Sequence, residues 1–385
     1  MKTDIYLDYA ASAPIRAAAL EAYVSAPVAA NPSSVHRPGR QAAAQLDQAR
    51  IDLAQTVGAE PGDVVFTSGG TEADALAVTG LFAARQTAAA RPYLLVGATE
   101  HVAVLENADR LPGAEVIRIP VDRNGFVDTA FVAEHLAERA QQTALISVMA
   151  ANNETGAIQD LDRITQLAAA AGVPVHSDWV AAAGKLSLNF AASGLAAVSL
   201  SAHKVGGPGG VGALLVRRGT ALEPRQAGGG QEGGLRSGTQ DPRGAAGFAA
   251  ALVEAAAEDT AGLETLLGPL DALAAAHPAI RVLTPPAHLP GLRSLLVDQV
   301  RGESLVFLLD SMGIACSAGS ACHAGVVGPS HVLEAMGLDR AAASAALRVS
   351  IGHATTAADV EALVKALPEA ITRAQRVAQT EGGRP

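Results

Sequence analysis

A chain of 385 residues with 49% hydrophobic content is long enough for two cores, or for one large core with a satellite. Its 28 basic and 38 acidic residues leave a formal net charge of −10 with no basic block, which argues against a nucleic-acid surface. Two cysteines make no disulfide framework, no apolar run approaches membrane-spanning length, and MKTDIYLDYAASAP lacks a signal-peptide pattern, so the expected setting is the reducing cytoplasm.

Short aliphatic runs alternate with longer Ala/Leu-rich helical patterns. Strands are expected at DVVFTS (63–68), YLLVGAT (93–99), EVIRIPV (115–121), ALISVMA (144–150), VPVHSD (173–178), AVSLSA (197–202) and GALLVRR (212–218). Helices are expected to start at Thr71, His101, Thr129, Asp160 and near Pro242. The alternation argues for an α/β fold with a mostly parallel sheet sandwiched by helices. After an Ala-rich helical stretch (about 242–276), IRVLTPP, RSLLVDQV and AALRVSIGH read as strands and GESLVFLLDSMG as a helix. TTAADVEALVKALPEAITRA closes the chain as a helix with Thr356 at its N-cap. This half reads as a smaller α+β C-terminal domain.

Lysine is scarce, and Lys204 stands in SLSAHKVGGPGGVGAL between a strand and a glycine-rich loop. A lysine there is a candidate Schiff-base former, because burial lowers its pKa and frees the amine; a solvent-facing loop lysine is the alternative. FTSGGTEADAL runs strand, Gly-Gly, Thr, helix, and a helix N-terminus after glycines is an anion site. Thr71 and Asp74 equally fit a capping box. Glu72 and Asp74 would repel a phosphate and are expected to point away from it. VHSDWV ends a strand on Asp178, and GATEHVAV puts His101 at another strand end, where it could also be a capping histidine. A phosphate cup, an aldehyde-capturing lysine, a carboxylate and a flat imidazole at strand ends match the needs of pyridoxal 5′-phosphate (PLP).

With YLDYAASAP, NPSSVHRPGR, FTSGGTEAD, TEHVAVL, NNETG, SAHKVGGPGGVGAL, GGGQEGGLRSGT, GSACHAG, PSHVL and LRVSIG in this order, the sequence resembles the cysteine desulfurases of the class V aminotransferase family. The resemblance implies a large PLP-binding domain over 16–258, a small domain from 1–15 and 259–385, and a homodimer with active sites at its interface. It implies L-cysteine as substrate, L-alanine as product, and an acceptor protein for the sulfur, such as an iron–sulfur scaffold or a tRNA-thiolation enzyme. Lys204 then resembles the Schiff-base lysine, and Gly70, Thr71, Ser201 and His203 resemble phosphate ligands, with Thr239 reaching the partner subunit's phosphate. His101 resembles the ring-stacking histidine and Asp178 the partner of the pyridine nitrogen. Asn153 and Arg348 resemble the groups near cofactor and substrate carboxylate. GSAC makes Cys322 the persulfide carrier, and its Gly/Ala/Ser surroundings suit a thiol that must move.

Cys316 reads as a small apolar strand residue, or as a resolving partner for Cys322. In DWVAAAGK, Trp179 follows Asp178, where the family has a small residue, and is expected to crowd the cofactor. Ala181 stands where the family has a glutamine that bonds the cofactor's phenolate oxygen, and Gly233 where an arginine is common. These departures leave room for a PLP lyase, a selenocysteine lyase or a weakly active scaffold of the same fold.

Overall fold

A computed structural model describes residues 5–26, 30–86, 90–319 and 328–382. Its strands are β1 (Ile5–Tyr6), β2 (Val64–Thr67), β3 (Tyr93–Gly97), β4 (Glu115–Ile119), β5 (Thr143–Ser147), β6 (Val175–Asp178), β7 (Ala197–Ser201), β8 (Gly212–Val216), β9 (Ile280–Val282), β10 (Leu292–Val297), β11 (Ile314–Ala315) and β12 (Ala346–Ser350). A seven-stranded sheet has the order β2-β8-β7-β6-β5-β3-β4. It is parallel from β7 to β4, and β8 runs against both of its neighbours. The seven expected strands are all present; six are trimmed at one or both ends, and β5 starts one residue earlier and ends three earlier than expected.

Both faces of this sheet are covered, and the residues alternate between two apolar cores as strand geometry requires. Val65, Leu94, Val96, Leu145, Ala197 and Leu214 pack with Ala73, Ala77 and Leu81 of the helix Gly70–Ala84. Val64, Phe66, Leu95, Ile146, Val198 and Leu215 pack on the opposite side with Leu53, Ile164 and Phe248. Two helices in front of the first expected strand, Ala17–Ser25 and Arg37–Thr56, are additions to the sequence reading. The Ala-rich stretch is two helices, Pro242–Ala256 and Thr260–Ala276. Asp259 separates them by capping the second, its carboxylate accepting from the Ala261 amide at 3.0 Å.

A separate apolar cluster joins Leu7 to Leu267, Leu295, Leu309, Val349, Leu363 and Ile371, so both ends of the chain share one core. Its sheets are an antiparallel β12-β10-β9 and a parallel β1-β11 pair. The closing helix Ala357–Gly382 is preceded by a reciprocal cap: the Thr356 amide and hydroxyl donate to Asp359 at 2.8 Å, and the Asp359 amide donates back at 3.4 Å.

Candidate active site

The helix Gly70–Ala84 starts one turn after β2, and its N-cap, Gly69, provides no side-chain cap. Thr71 and Asp74 therefore form no capping box. Thr71 lies in the first turn, whereas Asp74 is 1% exposed and faces the sheet interior. In front of the helix is a cavity of about 500 Å³ whose walls include Gly70, Thr71, Ser201, His203 and Gly209. Gly70 is required by close packing: a Cβ there would stand 2.7 Å from Val180 Cγ2. Glu72 also lines this cavity, contrary to expectation. Its charge is matched by Arg236, whose Nε donates at 2.7 Å, and it accepts from the Ser68 amide at 2.6 Å. Burial raises the Glu72 carboxyl, but these bonds lower it further, and the net effect is a pKa below its ordinary value.

Lys204 ends the turn Ala202–Lys204 that follows β7. Its Nζ donates to the carbonyls of Ala10 at 2.6 Å and Ala11 at 3.0 Å, so the amine is drawn under the N-terminal segment rather than into solvent. Burial, then the cations Arg348 and Lys185, push its pKa down to about 8. His203 Nδ1 lies 3.3 Å from Ser12 Oγ, and burial followed by the Lys204 charge pushes its imidazole down to about 4. It is a neutral donor or acceptor at ordinary pH.

Asp178 terminates β6 in a buried position, and its Oδ1 accepts from the Val180 amide at 2.7 Å. Burial raises its pKa, opposed by His101, the Val180 bond and Lys204. His101 caps the helix Val102–Asp109, with Nδ1 accepting from the Ala103 amide at 3.1 Å. The capping reading thus holds for one ring nitrogen, while the ring still acts electrostatically on Asp178. Asn153 shares a small cavity wall with His101. Its carbonyl accepts from Arg348 Nη1 at 2.9 Å, and Arg348 Nη2 pairs with Asp8 at 2.7 Å. Arg348 lies in β12 of the other core, which also holds Leu7 beside Asp8, so the contact with the Asn153 carbonyl fastens the two cores together at the site and the Asp8 pair steadies the guanidinium within its own core.

Thr239 is exposed and does not line the cavity. Cys322 lies outside the described residues. Cys316 is buried among Leu7, Ile314 and Leu347, and burial followed by Asp8 pushes its thiol up to about 12. Trp179 does not crowd Asp178. Successive residues of an extended chain point to opposite faces, and Trp179 packs into the core that holds Val57, Leu200 and Leu252. Ala181 is half-buried against that same core.

Four participants are absent from the sequence reading. Asp8 orients Arg348, and it stands in the quoted YLDYAASAP. Lys185 adds to the positive field at Lys204, and burial pushes its own amine down to about 8. Glu154, within NNETG, accepts from Ser330 Oγ at 2.5 Å, and burial raises its carboxyl to about 7. Glu232 anchors the glycine-rich segment: it accepts from Arg50 at 2.8 and 2.9 Å and from the Phe66 amide at 2.8 Å.

These donors fit PLP. An uncapped helix N-terminus with Thr71, Ser201 and a neutral His203 suits a phosphate. A buried carboxylate suits a pyridine nitrogen, and a lysine of lowered pKa suits an aldehyde. The comparisons agree. Residues 5–363 match the family described as aminotransferase class-V. An IscS-like cysteine desulfurase of Mycobacterium tuberculosis is 42% identical over 98% of this chain and 99% of its own. A solved NifS-like protein from Rickettsia africae superposes with a TM-score of 0.87 at 28% identity, over 96% of this chain and 99% of that one. A structure described as SspA in complex with cysteine has a TM-score of 0.79 at 30% identity, over 90% and 98% of the two chains. By the extent of these matches, the chain belongs to the class V aminotransferase family, whose cofactor is PLP.

Proposed function

We propose that this protein is a PLP-dependent cysteine desulfurase that converts L-cysteine to L-alanine and carries the sulfur as a persulfide on Cys322. The observation that carries the reading is the cavity that gathers Gly70, Thr71, Ser201 and His203 at a helix N-terminus, with Lys204 in the adjoining turn. When bound, PLP supplies an aldehyde that amines can capture and an electron sink for the substrate's α-carbon. The helix N-terminus, Thr71, Ser201 and His203 would hold the phosphate. Asp178 would pair with the ring nitrogen and His101 would stack on the ring. Lys204, with its pKa near 8, serves as the base that takes the α-proton. Arg348, held by Asp8 and the Asn153 carbonyl, would take the substrate carboxylate. The Cys322 thiolate accepts the sulfur: the C–S bond of cysteine breaks, an S–S bond forms, and alanine leaves. The buried Cys316, with its thiol near 12, is unsuited to that role.

The same reading has a homodimer in which Thr239 serves the neighbouring site, which accords with its exposure outside the cavity. It has a partner protein that accepts the sulfur for iron–sulfur clusters or thiolated products, and it places the protein in the cytoplasm. Among the described residues no helix is long and apolar enough to cross a membrane. The names of the relatives favour a desulfurase over another lyase or a scaffold.

Borohydride reduction of the holoenzyme followed by peptide mapping should place a pyridoxyl group on Lys204. Label on Lys185, or on no lysine, would overturn the assignment. Cys322→Ala should retain the visible cofactor band and lose sulfide release from cysteine, whereas Cys316→Ala should change turnover by no more than a few-fold.

A further inference from the structure

Behind Asp178 lies a second group of buried polar side chains that the function above does not use. In β6, His176 and Asp178 alternate with Val175 and Ser177, so they share the sheet face covered by the helix Gly70–Ala84. Register brings Ser147 of β5 opposite His176, and Ser199 of β7 opposite Asp178. The imidazole bridges the two serines: Nδ1 lies 2.9 Å from Ser147 Oγ, and Nε2 lies 2.9 Å from Ser199 Oγ. Asp74 descends onto this bridge from the helix whose first turn forms the phosphate cup. Its Oδ1 is 3.7 Å from His176 Nε2 and has no hydrogen-bond partner. Ser147, His176 and Ser199 are 0% exposed and Asp74 is 1% exposed.

Two carboxylates in one dry pocket do not both ionise unless cations compensate them. Asp178 has its compensation in the Val180 amide, His101 and Lys204. Asp74 has none. Its charged neighbours are Asp178 and Glu100, both acids, and burial holds His176 neutral, with its imidazole pushed down to about 3. Glu100 is itself buried, with Oε1 accepting from the Met149 amide, and it supplies no cation. Burial first, then the Asp178 charge, raise Asp74 well above the ordinary carboxyl range.

We propose that Asp74 is a protonated carboxylic acid and that, with His176, Ser147 and Ser199, it forms a neutral hydrogen-bonded backing that leaves Asp178 as the ionised member of the pair. Asp74 is then a positioning residue. It touches no substrate, but it keeps a second negative charge away from the ring-nitrogen site and holds the polar contacts beneath it. The functional meaning rests on the assignment of Asp178 to the ring nitrogen; the protonation state of Asp74 does not.

The test is infrared difference spectroscopy of the holoenzyme near pH 7.5, wild type against Asp74→Asn, with a parallel pH titration of the visible cofactor band. The expected result is a protonated-carboxyl carbonyl band that is present in wild type and absent in Asp74→Asn, with the titration midpoint moved by less than about half a pH unit. Asparagine reproduces the shape and neutrality of the protonated acid. Absence of the band in wild type, or a midpoint moved by about one unit or more, overturns the proposal, because an ionised Asp74 would have been removed. Should Asp74→Asn not fold, His176→Gln is read instead: the acid band must shift in frequency, and an unmoved band overturns the proposal. If borohydride fails to label Lys204 while the band is present, the cofactor assignment falls and the protonated Asp74 stands.

Discussion

At the scale of single residues, burial that outweighs the nearby counter-charges sets the chemistry. Lys204 lies near 8 rather than at its ordinary 10.5, which leaves roughly 300-fold more free base at pH 7 than an unperturbed lysine has. The rate at which apoenzyme captures PLP should therefore rise with pH and level off near 8. A rise continuing past pH 10 in stopped-flow absorbance would contradict this. Glu154 gives the opposite sign. Burial raises its carboxyl from 4.5 to about 7, so the folded state binds the proton more tightly than the unfolded chain. Its contribution is intact below about pH 4.5 and is lost as pH rises through about 7, amounting to about 3 kcal/mol. Glu154→Gln stays neutral and should lack this loss. Its melting temperature relative to wild type should climb between pH 5 and 7.5, and parallel curves would refute the argument.

At the scale of elements, strand ends and helix starts place the site groups, and one ion pair holds the glycine-rich segment against them. Glu232 adopts a positive φ of 49° and has a side chain with 0% exposure, while its partner Arg50 is 16% exposed. The Glu232 carboxylate ties the helix Arg37–Thr56 and β2 to the segment that carries Arg236 and Thr239. Removing one member of a buried pair leaves the other charge uncompensated, at about 3–5 kcal/mol. Glu232→Ala and Arg50→Ala should each lower stability by about that amount in denaturant unfolding, and the double variant should lose less than their sum. Strict additivity would mean that the two residues act independently. Since Glu232 also orders the segment that bears Thr239, cofactor affinity should fall along with stability.

At the scale of the whole molecule, each proposed site would draw on two cores of one chain and on a loop of another. Arg348 of the C-terminal core is tied to Asp8 and to the Asn153 carbonyl, while Lys204 is tied to the N-terminal Ala10 and Ala11. The proposed dimer makes a complementation test possible. Lys204→Ala and Thr239→Val homodimers should each be impaired. A mixed dimer would contain one site with both defects and one with neither, and should recover up to half of wild-type activity per dimer. No recovery on mixing would mean that Thr239 acts within its own chain or not at all.

Much of this was legible in one dimension because it depends on local order. Alternating strand and helix patterns specify a covered, mostly parallel sheet, and glycines before a helix mark a candidate anion cup. His-Lys at a strand end and two thiols of unlike context point to the chemistry. Period-2 alternation even contained the answer to Trp179, since the residue after a sheet-facing Asp178 must face the other way and packs in the opposite core. What the sequence could not decide are the pairings between distant segments: Asp8 with Arg348, Glu232 with Arg50, Glu72 with Arg236, and Asp74 beneath Asp178. A carboxylate's charge state depends on which groups surround it once water is excluded. Those neighbours come from positions dozens to hundreds of residues away, so only the packed chain determines which acids are ionised and which bases are free.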